Sequence, residues 1–248
     1  MLIFAHRGAS GYEVENTLAA MEKALALKVS AIELDVYNVE GQLIVFHDRR
    51  LETKTSGQGL VHLSSLDTIN NVTIKQHKLP TLWQVMGLIK GRCIVNIELK
   101  GYHTAAPLIA CYNDIIEQLG FSPEQLLISS FNQPYLLEVK QHIPHARVAP
   151  ILAGVPLNYA ESVSALNAYS IHVDIHFVTH KMVNDAHQRG AKIYVYTVDN
   201  AEDIQALKAI GVDGIFSNYP DKAAAVIQQL NQQQDTDPQQ ANYHLCFG

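Results

Sequence analysis

The chain of 248 residues alternates short apolar runs with helix-like stretches along most of its length, and one interval is too short to obey that rhythm. Runs that read as strands are Leu2–Ala5, Ala31–Val36, Leu43–Phe46, Cys93–Leu99, Leu126–Ser130, Arg147–Ile151, Ser170–Val173, Lys192–Thr197 and Gly214–Phe216. Helical patterns lie between most of them: a run capped at Asn16 and reaching about Lys28, then Ala105–Leu119, Pro134–Gln141, Met182–Arg189 and Ala201–Ile210. Repeated βα units imply a parallel sheet with helices outside it. The exception is the interval from Asp35 to Leu43, since a helical crossover needs about a dozen residues. Its Asn38-Val39-Glu40-Gly41-Gln42 reads instead as a hairpin turn, so Leu43–Phe46 returns antiparallel beside the second strand. Eight parallel strands remain. The expected fold is α/β, a TIM (β/α)8 barrel with a β-hairpin extension after strand 2, for which about 250 residues is typical. A turn centred near Glu40-Gly41 also places His47 roughly opposite Asp35.

Residues 49–78 break the rhythm with Gly57, Gly59, many polar side chains and weak helical periodicity. They read as an insertion over the barrel mouth, a lid or substrate wall. The expected organisation is one domain over 1–230, with a polar, disordered tail at 231–248. Charged residues are 17% and the net charge is −6, with no basic stripe, so nucleic acid is not an expected partner. No apolar run approaches the roughly 18 residues of a membrane span, so stable membrane insertion is not expected. The first strand starts almost at Met1, so no secretory leader is expected. Cys93, Cys111 and Cys246 are odd in number and lack CxxC spacing, which fits reduced thiols. The expected location is cytoplasmic.

Chemistry-bearing residues collect where these strands end. Glu33 and Asp35 lie two apart on one strand and share a face. Glu98 ends another strand in apolar surroundings, Ile94-Val95-Asn96-Ile97. Three converging carboxylates repel each other unless compensated, and a hard divalent cation with oxygen ligands, Mg2+ or Ca2+, does so most directly. His6 follows the first strand and His47 the hairpin, so two proton carriers suited to neutral pH flank the same region. Arg7 and Lys100 add positive charge there, a guanidinium fork and a compact ammonium able to grip phosphate oxygens. Cleaving a phosphodiester requires one proton taken from the nucleophile and one given to the leaving alcohol, which this set can supply. Asn16 reads as a helix N-cap, and Glu15 stays outside the site. His172, His176 and His180 are spaced four apart, but the alternation of Ile171-His172-Val173-Asp174-Ile175-His176 is strand-like, so no zinc site is expected. Ser129-Ser130 lacks a G-x-S-x-G elbow and reads as a polar strand cap.

In order along the chain, Ala5-His6-Arg7-Gly8, Glu15-Asn16-Thr17, Glu33-Leu34-Asp35-Val36, Phe46-His47-Asp48, Leu51-Glu52-x-x-Thr55-x-Gly57-x-Gly59 and Leu79-Pro80-Thr81-Leu82 resemble the glycerophosphodiester phosphodiesterases. The likeness continues through Ile97-Glu98-Leu99-Lys100, Ser129-Ser130-Phe131, Val195-Tyr196-Thr197-Val198 and Gly211-Val212-Asp213-Gly214-Ile215 to about residue 221. The short form without a leader looks like the family's cytosolic bacterial branch. The resemblance implies hydrolysis of glycerophosphodiesters to sn-glycerol 3-phosphate and an alcohol with Mg2+ or Ca2+. It implies Glu33, Asp35 and Glu98 as metal ligands, His6 as proton acceptor, His47 as proton donor, and Arg7 and Lys100 beside the phosphate. The chain departs from the family pattern at Val14 (commonly Pro), Tyr196 (often Trp) and Asn218 (often a carboxylate). These departures touch pocket shape and headgroup preference, not the reaction class. Alternative readings are a phospholipase D-like lyase on the same barrel and a catalytically silent phosphate-binding protein.

Overall fold

A computed structural model describes residues 1–236. The strands are β1 (Leu2–Ala5), β2 (Ala31–Val39), β3 (Gln42–Val45), β4 (Thr73–Ile74), β5 (His77–Lys78), β6 (Ile94–Leu99), β7 (Leu126–Ser130), β8 (Arg147–Leu152), β9 (Ser170–Asp174), β10 (Lys192–Tyr196) and β11 (Gly214–Ser217). The α-helices are α1 (Leu18–Ala26), α2 (Leu66–Asn71), α3 (Leu82–Ile89), α4 (Ala105–Leu119), α5 (Gln133–His142), α6 (Glu161–Leu166), α7 (His180–Gln188), α8 (Ala201–Ala209) and α9 (Pro220–Thr236). Parallel pairing runs β1-β2-β6-β7-β8-β9-β10-β11 and returns to β1, closing an eight-stranded TIM barrel with β3 outside the ring.

The hairpin forms as expected. Glu40 and Gly41 both take positive φ, 49° and 86°, the combination that turns a tight hairpin with the strand twist. Its register is one residue from the expected one. Val36 pairs with Val45, and the Phe46 N–H donates to Asp35 O at 3.0 Å, so Phe46 rather than His47 lies opposite Asp35.

Strand alternation sorts the side chains into two environments. Ile32, Leu34 and Val36 on β2, and Val95, Ile97 and Leu99 on β6, join the apolar layer between barrel and helices. The opposite faces of these strands point into the barrel. Its interior holds Phe4, Ala31, Leu127, Ala149, Tyr194 and Phe216. Phe4 and Phe216 stack with centroids 4.6 Å apart, and Tyr194 tilts against Phe4 at 5.1 Å. Burying each such ring contributes about 1.5–3 kcal/mol and keeps water from beneath the polar layer above.

The inserted stretch lacks a βα unit, as expected. It has two short 3-10 turns, α2 and the small β4–β5 hairpin. Leu51, Val61, Ile69, Val72 and Ile74 pack on Tyr37, Val39, Ile44 and Phe46 of the β2–β3 side, so the insertion has a core of its own.

Two further readings are corrected. The N-cap of α1 is Thr17, whose hydroxyl accepts from Ala20 N–H at 3.3 Å, and not Asn16, which adopts φ 58° just outside the helix. Both residue types cap well, and the neighbouring Asp35 decides which is used. The helix α9 also extends through 231–236, part of the tail expected to be disordered, in continuation of a helix anchored by buried Ala223 and Ile227. The remainder of that tail, 237–248, lies outside the described residues.

Candidate active site

Glu33 and Asp35 face inward from β2, and Glu98 faces inward from the neighbouring β6, where register sets Asp35 against Glu98 and Glu33 against Asn96. One carboxylate oxygen from each of Glu33, Asp35 and Glu98 lies within 4.8 Å of the others. Glu33 is 3% exposed and Asp35 1%, whereas the Glu98 side chain keeps 13%, so the cluster meets solvent chiefly through Glu98. Segments more than sixty residues apart thus deliver three acidic groups to one point.

Compensating groups surround the cluster. Lys100 Nζ lies 2.5 Å from Glu98 Oε1 and 3.3 Å from Asp35 Oδ1. Arg7 Nε is 3.5 Å from Asp35 Oδ2, while the Arg7 backbone N–H donates to Glu33 Oε2 at 2.7 Å. Asn16 Nδ2 donates to Asp35 Oδ2 at 2.8 Å, and the Asp35 N–H donates to Asn16 Oδ1 at 3.3 Å. Burial works to raise the Asp35 carboxyl, but Lys100 and Arg7 outweigh it and hold the group below its usual range. Burial, with Asp35 and Glu98 nearby, pushes Glu33 well above the ordinary carboxylate range. Burial also lifts Glu98 to about 7, against the pull of Lys100. Asp35 is therefore a settled anion, whereas Glu33 and Glu98 have too few positive partners.

One atom makes the deficit concrete. Glu33 Oε1 is buried and has no hydrogen-bond partner. An orphaned carboxyl oxygen inside an all-oxygen donor set fits a hard divalent cation. Glu33, Asp35 and Glu98 could hold it. A second acidic group, Glu15–His47–Asp48, is already engaged: Glu15 pairs with Arg7 at 2.9 Å and Lys54 at 2.7 Å, and Asp48 with His47 at 2.7 Å. These are the two possible metal-holding groups among the described residues.

The turn after β1 carries His6 and Arg7. Arg7 and Gly8 both adopt left-handed φ, 57° and 79°, and a Cβ on Gly8 would fall 2.7 Å from the Ala20 backbone of α1. Glycine at position 8 is thus required for the turn that aims the Arg7 N–H at Glu33. His6 Nδ1 lies 2.8 Å from Asn218 Oδ1, and its Nε2 accepts from Arg7 Nε at 3.2 Å, 4.0 Å from Glu33 Oε2. Burial, reinforced by Arg7, lowers the His6 pKa to about 4, so the ring is neutral at neutral pH. His47 leaves the hairpin with Nδ1 2.7 Å from Asp48 Oδ1. Burial draws its pKa down, with Asp35 opposing and Lys100 and Arg7 adding.

All but one of the residues expected at the site, His6, Arg7, Glu33, His47, Glu98 and Lys100, line a single open cavity of about 110 Å³. Asp35 sits just behind it, bound to Lys100 and Arg7. The remaining wall comes from Asn96, Phe131, Ile151, His172, Tyr196, Thr197 and Phe216. Lys100 Nζ is 5.8 Å from the Phe131 ring centroid, and Tyr196 Oη donates to Leu152 O at 3.0 Å. Phe131 and Tyr196 belong to sequence motifs, yet no local pattern said that they face the site. Glu15, set aside from sequence, anchors the Arg7 guanidinium. His172 is buried in the barrel, whereas His176 is 81% exposed at its side chain, which removes the zinc reading of that series. Ser129 and Ser130 are buried caps: Ser129 Oγ accepts from Asn96 Nδ2, and Ser130 Oγ donates to Leu99 O.

An eight-stranded barrel with acids, imidazoles and two cations at the carboxyl ends of its strands has the architecture of a TIM-barrel enzyme. Residues 6–222 match the model of the Glycerophosphoryl diester phosphodiesterase family. The glycerophosphodiester phosphodiesterase of Caldanaerobacter subterraneus subsp. tengcongensis is 30% identical over 239 residues, 92% of this chain and 98% of the relative. That of Bacillus altitudinis is 30% identical over 244 residues, with 92% and 98% covered. Among solved structures, an Oleispira antarctica phosphodiesterase in complex with the product sn-glycerol-3-phosphate superposes with TM-score 0.84 at 27% identity, covering 92% of this chain and 97% of that one. The chain belongs to the glycerophosphoryl diester phosphodiesterase family and is an enzyme of the phosphoric diester hydrolase class.

Proposed function

We propose that the protein hydrolyses glycerophosphodiesters to sn-glycerol 3-phosphate and an alcohol, using Glu33, Asp35 and Glu98 to hold one Mg2+ or Ca2+ and His6 and His47 as proton carriers. The observation that carries this reading is the meeting of three carboxylate oxygens within 4.8 Å, beside a cavity that two imidazoles line. The Oleispira antarctica relative, solved with sn-glycerol-3-phosphate, supports the product. A bound divalent cation supplies charge neutralisation to phosphoryl oxygens.

The chain's own groups divide the remaining work. Arg7 and Lys100 place positive charge beside the phosphate, where a dry barrel floor strengthens their attraction. The two histidines have partners of different kind. His6 faces a neutral amide, Asn218, which suits a ring that starts neutral and accepts a proton from the nucleophile at Nε2. His47 faces a carboxylate, Asp48, which stabilises an imidazolium able to donate to the departing alcohol. The nucleophile is water or the glycerol hydroxyl next to the phosphate. Phe131, Tyr196 and Ile151 offer apolar surface to the carbon skeleton. The unit acting here is the barrel over 1–230, with the 49–78 insertion as a wall of its mouth; its Lys54 lies 3.6 Å from Asp48.

Among the described residues no helix is long and apolar enough to cross a membrane. Free Cys93 and Cys111 support a cytoplasmic setting. The test is release of sn-glycerol 3-phosphate from a panel of glycerophosphodiesters with choline, ethanolamine and glycerol headgroups. Release from at least one is expected, and no release from any, with Mg2+ or Ca2+ present, would overturn the assignment. Transient cyclic glycerol phosphate would identify the hydroxyl route.

A further inference from the structure

Behind His6, at the ends of β10 and β11, a carboxylate and an amide are locked together. Asp199 Oδ1 accepts from the Asn218 backbone N–H and from Ser217 Oγ, both at 2.8 Å. Asp199 Oδ2 accepts from Asn218 Nδ2 at 2.7 Å. A carboxylate only accepts, so the NH2 of Asn218 must face Asp199 and its Oδ1 must face away. That Oδ1 meets Ser10 Oγ at 2.7 Å and His6 Nδ1 at 2.8 Å. An amide oxygen also only accepts, so Nδ1 must carry the imidazole hydrogen. A neutral ring has one N–H, which leaves the lone pair on Nε2. Nε2 is the nitrogen turned toward Arg7 and Glu33.

We infer that Asp199 and Asn218 are positioning residues, a carboxylate–amide relay that sets the Nδ1–H tautomer of His6 and presents Nε2 as its proton-accepting atom. Neither residue touches the reacting atoms. The tautomer follows from the hydrogen bonds alone, whereas its use in catalysis rests on the proposed phosphodiesterase function. The logic is that of an oriented base with a third group behind it, an uncharged amide being interposed between carboxylate and imidazole.

The isosteric Asp199→Asn variant tests this, because two donors hold the carbonyl at the Oδ1 position and force the new NH2 toward Asn218. The Asn218 amide must then turn over and offer its NH2 to His6 Nδ1, moving the ring hydrogen to Nε2. Long-range 1H–15N spectra of the Mg2+-loaded protein at pH 8 should show His6 as Nδ1–H in the parent and Nε2–H in Asp199→Asn. Turnover of glycerophosphocholine should fall about 10–100-fold with KM little changed. The exchanged pair Asp199→Asn with Asn218→Asp restores an acceptor-only oxygen facing Nδ1, so it should regain the Nδ1–H form and most of the lost turnover. Should the single variant not fold, the exchanged pair decides alone. An Nε2–H parent, an unchanged tautomer in Asp199→Asn, or an exchanged pair lacking the Nδ1–H form would overturn the relay. If no glycerophosphodiester is hydrolysed, the functional reading falls while the spectra still decide the tautomer.

Discussion

Lys100 reaches from the end of β6 to Asp35 on β2, its ammonium 3.3 Å from Asp35 Oδ1. It also touches Glu98 at 2.5 Å, so one cation bridges two inward-facing acids on neighbouring strands. Lys100→Ala leaves Asp35, 1% exposed, with only Arg7 as a charged partner. Removing one partner of a buried pair costs about 3 kcal/mol or more, roughly 6–12 °C in Tm for a chain of this size. Thermal melts should show that loss in EDTA and a smaller one in excess Mg2+, where the cation replaces part of the missing charge. Equal losses in both conditions would contradict the shared role.

The His47–Asp48 pair predicts a leaving-group dependence. His47→Ala should lower turnover of glycerophosphocholine by about 10²–10⁴, the usual worth of a positioned proton donor. A p-nitrophenyl phosphodiester, whose leaving group needs no proton, should lose far less. Parallel losses on both substrates would remove His47 from the donor role.

The acidic cluster predicts how stability varies with pH when the metal is absent. Glu98 is raised by burial to about 7 in the fold from an ordinary value of 4.5. The folded state therefore holds a proton that the unfolded chain releases. This contribution to stability is fully present below about pH 4.5 and is lost as pH rises through about 7. Glu33, raised for the same reason, acts in the same direction. Chemical denaturation in EDTA should show this decline from about pH 5 to 7.5, and Glu98→Gln should flatten it.

Metal binding should show the reverse dependence, since a cation must displace those protons. At 100 times its Kd, Mg2+ adds about 2.7 kcal/mol, or roughly 5–10 °C in Tm. Melts with and without Mg2+ should give an increment that grows from pH 5.5 to 8. An increment independent of pH would place the cation elsewhere.

The barrel was legible in the sequence because its strands alternate with helices and because one gap, Asp35 to Leu43, cannot hold a crossover. The acids were legible because Glu33 and Asp35 are flanked by Ile32, Leu34 and Val36, and Glu98 by Ile97 and Leu99, all apolar strand residues. Finer placement depended on contacts that no local pattern encodes. The hairpin register is the exception: the two-residue Glu40-Gly41 turn pairs Val39 with Gln42 and Val36 with Val45, which by itself sets Phe46 and not His47 against Asp35. Asn16 and Thr17 both suit a helix cap, and only the proximity of Asp35 shows that Asn16 serves the site instead. Phe131 and Tyr196 come from loops and strand ends far apart in sequence, and meet as walls only once the barrel closes. Asn218 stood out as a departure from a family pattern, while its meaning lies in Asp199, 19 residues away.

The central proposal is one cation, held by Glu33, Asp35 and Glu98, that supports phosphodiester hydrolysis. Metal-free protein should be titrated with Mn2+, counting bound ions by electron paramagnetic resonance while following sn-glycerol 3-phosphate release. Activity is expected to return in step with the first ion per chain, and Glu98→Gln to weaken binding and activity together. Full turnover in the metal-free protein, or an ion bound equally well by Glu98→Gln, would contradict it.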